Sequence, residues 1–146
     1  KSVSEIMVPR EQVQTLTLGC TPAELEHAVA RTGYSRFIVT DPEVSYMGYL
    51  HLKDALAVPP AREHIPFGWR QVRSMSVVAP ETDIDDALAI MQGNNSHLAH
   101  VAGSNGRSLG VVFMEDVLEE LVGEIKDTTQ DRVRRLQAAS RASNDK

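Results

Sequence analysis

The chain of 146 residues is expected to fold as an α+β protein made of two half-domains packed face to face, each ordered strand, helix, strand, strand, helix. Two observations carry that expectation. Gly48-Tyr49-Leu50-His51-Leu52-Lys53-Asp54 is echoed by Gly110-Val111-Val112-Phe113-Met114-Glu115-Asp116 at an offset of 62 (116 − 54), and the same offset relates Val39 to Val101. Helix-cap and turn signals also recur in the same order on either side of a proline-rich stretch. Two copies are too few to stack as a solenoid, so they must bury their apolar faces against each other.

Each element follows from local chemistry. Val13 to Leu18 is a Thr-rich extended run. Thr21-Pro22-Ala23-Glu24 starts a helix, with Thr as N-cap, Pro in the first turn and Glu three residues after the cap. Leu25, Ala28 and Val29 give that helix one apolar stripe, and Gly33 ends it after about Thr32. Arg36 to Thr40 reads as a strand, Asp41-Pro42 as a turn and Tyr46 to Leu50 as a second strand, with helix resuming at about Leu52. The second copy repeats the order with Val77-Val78, a helix capped by Thr82 with Asp85 three residues on, and strands from Leu98 to Ala102 and Leu109 to Phe113. Asn105-Gly106 between those strands is hairpin-turn chemistry. Thr82 lies 61 positions after Thr21 (82 − 21), which places one extra residue of the second copy in or near its first helix.

Between the copies, Val58-Pro59-Pro60 and Pro66-Phe67-Gly68-Trp69 read as a linker, because adjacent prolines remove backbone donors; Trp69 is expected to anchor it by packing. From Glu115 onward, Val117, Leu118, Leu121, Val122 and Ile125 form a helical stripe with Glu119, Glu120 and Glu124 outside it, so this helix is expected to be buried on one side. The expected organisation is a first repeat with its N-terminal segment and linker over 1–62, a second repeat over 63–127, and a polar helical or disordered tail over 128–146.

Composition narrows the function. A hydrophobic content of 42% is ordinary for a globular chain, and a net charge of −5 argues against a nucleic-acid partner, which demands a basic face. The single cysteine, Cys20, rules out an internal disulfide and suits a reducing compartment. No apolar run approaches the roughly 18 to 20 residues that span a bilayer, and the N-terminus lacks a signal-peptide layout. A chain that opens at Lys1 and closes on a polar run is what an excised part of a longer protein looks like.

The spacing of reactive side chains favours no enzyme. His97 and His100, three apart on a strand, face opposite ways, and His27, His51 and His64 have no partner at metal-ligand spacing. Ser35, Ser96 and Cys20 lack a nucleophile signature. Gly103-Ser104-Asn105-Gly106-Arg107 lacks the Lys-Ser/Thr ending of a phosphate loop. Glu115, Asp116, Glu119, Glu120 and Glu124 read either as a Mg2+ cluster or, more simply, as a solvated helix face. Asp54 and Asp116 each stand where a strand hands over to a helix, near backbone N–H groups that favour phosphate. Two readings stand for each: a carboxylate that holds both hydroxyls of a ribose, or a helix cap.

The repeat, together with Ile6-Met7-Val8-Pro9-Arg10, Gly33-Tyr34-Ser35-Arg36-Phe37 and the run from Glu115 to Ile125, resembles a paired cystathionine-beta-synthase-type (CBS) domain, or Bateman module, of the CorC/HlyC and CNNM family. The similarity covers about residues 3 to 127. It implies a tandem CBS pair of two β-α-β-β-α repeats, packed pseudo-symmetrically. It also implies a non-enzymatic regulatory module on the cytosolic face of the plasma membrane, attached to the membrane domain of a longer protein linked to magnesium or cobalt transport or resistance. The expected ligand is an adenine nucleotide, ATP or AMP, with Mg2+ as its companion, and the expected assembly is a homodimer through the CBS repeats. Carried over by resemblance, Tyr34, Ser35 and Arg36 face Asp116 across the nucleotide cleft. Tyr34 packs on the base, Arg36 pairs with phosphate and Asp116 holds the ribose. The pseudo-symmetric cleft involves Asp54, His51 and the strand beginning near His97.

The chain also departs from the family pattern. Phe113 stands where a ribose- or phosphate-binding Thr is usual, Ala102, Gly103 and Ser104 replace an Asp-Glu pair, and His100 replaces an apolar residue. These departures leave an alternative open, a ligand-free structural dimerisation module.

Overall fold

In the computed structural model, which describes residues 1–144, the chain runs through β1 (Val8–Pro9), β2 (Thr15–Thr17), α1 (Pro22–Thr32), β3 (Arg36–Thr40), β4 (Tyr46–His51), α2 (Leu52–Leu56), β5 (Ser76–Val78), α3 (Ile84–Gly93), β6 (Leu98–Ala102), β7 (Ser108–Phe113) and α4 (Met114–Asn144). The Thr21 hydroxyl accepts from the Glu24 N–H at 3.1 Å, completing the expected capping box, and Gly33 closes α1 in the left-handed region (φ 79°). β2 pairs parallel to β3, and β3 pairs antiparallel to β4. The second lobe repeats this with β5, β6 and β7, and gains β1 as an outer strand beside β7.

Strand alternation builds three packed regions. Phe37, Val39 and Leu50 turn towards Leu25, Ala28 and Ala55 in the first lobe, while Ala99, Val101 and Val112 turn towards Ile84, Ala87, Met91 and Val117 in the second. The opposite sheet faces meet through Ile38 and Tyr49 from one lobe and Leu98 and Val111 from the other, so the lobes share a central core. Burial of those four side chains holds the halves together, each contributing about 1.5–3 kcal/mol when fully removed from water.

The expected one-residue slip between the copies is absent. The N-cap of α3 is Asp83, not Thr82, and it lies 62 positions after Thr21 (83 − 21). Thr82 is taken up by the preceding turn, its N–H bonded to the Ala79 carbonyl at 3.1 Å. Both residues suit a cap, and the turn decides between them.

Three further expectations change. Trp69 is 75% exposed, with the Arg70 guanidinium 5.3 Å from its ring; Phe67 is the buried anchor, fixed by its N–H bond to the Cys20 carbonyl. The α4 stripe is only partly covered: Val117 is buried, but Leu118, Val122 and Ile125 are exposed. The cause is length, since 31 residues of helix extend about 46 Å at 1.5 Å each, more than twice the reach of the six-residue β7 beside it. The tail to Asn144 is the continuation of that helix.

The third change concerns the N-terminal segment, which belongs to the first repeat in sequence but to the second lobe in space. Val3 is fully buried in the second core, and its N–H bonds the Thr82 carbonyl at 2.9 Å. Gly110, at φ 156°, allows β1 to cross, because a Cβ there would strike the Val8 carbonyl oxygen. Its counterpart Gly48 does the same for the linker, where a Cβ would lie 2.5 Å from the Arg73 carbonyl oxygen. The repeated glycine therefore serves close backbone approach at both ends. Among the described residues no helix is long and apolar enough to cross a membrane.

Candidate functional site

Where the two sheets diverge, a narrow cleft opens between the lobes, lined by Gln12, Val13, Gln14, Tyr34, Arg36, Ile38, Leu98, Val111 and Phe113, with Val8 at its edge. Tyr34, Arg36 and Phe113 thus line one cleft. Tyr34 follows the left-handed turn at Gly33 and is 56% exposed. Arg36 opens β3 on the same face as Ile38, so strand alternation sends it towards the second lobe. Its Nη2 donates to Glu115 Oε1 at 2.7 Å, linking the lobes across the cleft mouth. Ser35 acts through its backbone, its carbonyl accepting the Leu52 N–H at 2.8 Å; in the second lobe the His97 carbonyl accepts the Met114 N–H at 2.9 Å.

Asp116 stands in the first turn of α4, next to Glu115 but outside the cavity lining. Among the described residues no side chain is hydrogen-bonded to its carboxylate. Burial, then the charges of Glu119 and Glu115, push its pKa up. A half-buried carboxylate without a partner is poised to accept hydroxyl donors.

Asp54, its repeat counterpart, is fully engaged. It accepts the His51 N–H at 2.8 Å as a helix cap, and Arg73 Nε and Nη2 at 3.0 and 2.7 Å in a bidentate pair. Burial works to raise its pKa, but the hydrogen bonds from Arg73 and His51 and the Arg73 charge outweigh that and hold it below the usual carboxylate range. His51 is itself the N-cap of α2, its Nδ1 accepting the Lys53 N–H at 3.0 Å. Burial and the Arg36, Lys53 and Arg73 charges lower its pKa. On the pseudo-symmetric side, Ser76 and Ser96 share a buried hydrogen bond of 2.5 Å, Asn94 donates to Ser76, and the His97 N–H reaches the Tyr49 hydroxyl at 3.4 Å. His97 is exposed, and the Asp54 carboxylate is taken up by Arg73.

Sequence reasoning missed Gln12, Val13 and Gln14, Arg73, and the pairing of Glu115. The signal for Glu115 was available, because its counterpart Lys53 has the opposite charge. Arg73 carried no such local signal, since it caps Asp54 from the far side of the linker. The cleft holds about 40 Å³, against roughly 300–1,000 Å³ for small-molecule sites generally. Phe113 occupies space that a smaller residue would leave open.

Residues 71–123 match the family model described as the CBS domain. An uncharacterised protein of Mycobacterium tuberculosis is 39% identical over 132 residues, covering 87% of this chain and 38% of that protein. The magnesium and cobalt efflux protein CorC of Buchnera aphidicola is 32% identical over 146 residues, covering 96% of this chain and 50% of that protein. The chain therefore spans half or less of these relatives. Among solved structures, the CBS domain of a bacterial CNNM/CorC family Mg2+ transporter in complex with ATP is similar with a TM-score of 0.75 at 26% identity, over 84% of this chain and 88% of that one.

Proposed function

The chain is a tandem CBS-domain pair of the CorC/HlyC and CNNM type, and from that premise we propose that it is a non-enzymatic sensor that binds an adenine nucleotide, ATP or AMP, between its lobes. Mg2+ accompanies the nucleotide. The module works as a homodimer at the cytosolic face of the plasma membrane, where the membrane domain of a parent protein linked to magnesium or cobalt transport reads its shape. Regulation of that kind needs a ligand with different affinities for two shapes.

The observation that carries this reading is the contrast between the two aspartates: among the described residues Asp116 accepts no side-chain hydrogen bond and follows Glu115, which meets the cleft residue Arg36, whereas Asp54 is tied down by Arg73. One cleft is therefore equipped for a ribose and phosphate, and the other is committed to structure. The ATP complex of a relative supports the choice of ligand. A second reading, a dimerisation module without ligand, draws on the roughly 40 Å³ cleft and on Phe113 within it.

Thermal unfolding with ATP, ADP and AMP, with and without Mg2+, separates the two readings. A nucleotide at 100 times its Kd adds about 2.7 kcal/mol of stability. Asp116→Ala is expected to abolish that protection and Asp54→Ala to retain it. Absence of any shift at millimolar nucleotide would favour the ligand-free module.

A further inference from the structure

We propose that Glu115 is a built-in anionic competitor for Arg36, and that it makes the cleft discriminate against ligands in proportion to their negative charge. This rests on the nucleotide-sensor reading for its ligand, but the geometry behind it is independent of that reading. Among the described residues lining the cleft, Arg36 alone carries a charge, so it is the group that an anionic ligand must engage. Its Nη2 is already bonded to Glu115 at 2.7 Å. Glu115 holds one of the five guanidinium N–H donors, so a phosphate must either displace that carboxylate or share the guanidinium with it at close range.

Displacement leaves an acidic surface behind. Glu115, Asp116 and Glu119 lie on the first turns of one helix, and burial first, then the charges of those two neighbours, push the Asp116 pKa up. In the absence of Mg2+, each additional phosphate charge then meets the Glu115 carboxylate and its acidic neighbours with only Arg36 in the cleft lining to offset them. The fold itself does not require an acid at this position. Lys53 occupies the equivalent place in the first repeat and starts α2 with its N–H bonded to His51. Glu115 is thus free to serve the cleft.

The test compares wild type, Glu115→Gln and the double variant Arg36→Gln/Glu115→Gln, titrated with adenosine, AMP and ATP by calorimetry. Glu115→Gln is expected to bind ATP roughly tenfold and AMP roughly threefold more tightly, with adenosine unchanged, and the double variant is expected to lose the gain. An equal gain for all three ligands would mean that the substitution merely widens the cleft, and a loss for ATP would mean that Glu115 assists binding; either result overturns the proposal. Should no nucleotide bind either protein, the sensor reading fails, and inorganic tripolyphosphate then probes Arg36 directly. Protection of Glu115→Gln but not of wild type sustains the competitor role, and equal behaviour overturns it. Glu115→Lys, which installs the residue type of the first repeat, serves as the second variant if Glu115→Gln weakens the fold.

Discussion

Asp54 and Asp116 occupy the same place in two copies of one segment, yet one is held by the His51 N–H and the Arg73 fork, and the other, among the described residues, accepts no side-chain hydrogen bond. The difference comes from charge rather than fold. Arg73, which clamps Asp54, corresponds at the offset of 62 to Glu11, and Lys53 corresponds to Glu115. At both corresponding positions the sign is inverted, so Asp54 is met by a cation where Asp116 has acidic neighbours on its own helix. Duplication supplied two equivalent scaffolds, and a handful of charged side chains made them unequal.

The largest effect that would break this comparison is on stability. Asp54→Ala removes a cap and a bidentate ion pair at a side chain only 16% exposed, and is expected to cost about 2 kcal/mol in urea unfolding. Arg73→Gln should cost a large part of the same amount, and the double variant less than the sum of the two. Additive losses would show that the pair is not coupled. Next in size, Phe113→Thr should lower stability by about 1.5 kcal/mol, because a half-buried ring is lost, while strengthening nucleotide protection. Unchanged or weaker protection would show that the ring does not limit access.

The smallest effect sharpens the contrast. Asp116→Ala should leave stability within about 0.5 kcal/mol of wild type, since no hydrogen bond is lost. The pH dependences should run in opposite directions. Asp54, with a lowered folded pKa, stabilises the fold fully above the unfolded carboxylate value of about 3.9 and stops doing so as pH falls through its lower folded value. Asp116, with a raised folded pKa, contributes its relative stability fully below that same unfolded value and loses it as pH rises through its higher folded value, so its ionisation slightly opposes folding at neutral pH. Its partial exposure keeps that term small. Melting curves of Asp54→Asn and Asp116→Asn across the acid range should therefore deviate from wild type with opposite signs; deviations of the same sign would remove the distinction.

What the sequence made legible was local. The Thr21 cap, the bounds of β3 and β6, the Gly33 stop and the Asn105-Gly106 hairpin depend on neighbours within a few residues, and all stand as expected. The cleft was legible in part, because Tyr34, Arg36 and Phe113 are ordered by strand alternation within an interlobe contact that the repeat implied. Contacts made across long loops were hidden. Arg73 reaches Asp54 from 19 positions away and Glu115 reaches Arg36 from 79, so no periodicity announces either. Trp69 misled because its size suggests burial, while the 3-10 turn that carries it faces outward. The α4 stripe misled because period fixes which face is apolar and says nothing of what lies opposite.

Val3 gives the molecule the logic of a clasp. The strand of chain that opens the first lobe is seated in the second, so neither half owns all the parts of its own interior. A break in the linker between Pro59 and Pro66 would yield two fragments with matching deficits, one carrying a bare hydrophobic peg and the other the empty socket. Such fragments should find each other and restore a whole molecule, which makes the linker the place to divide this chain into a self-assembling pair.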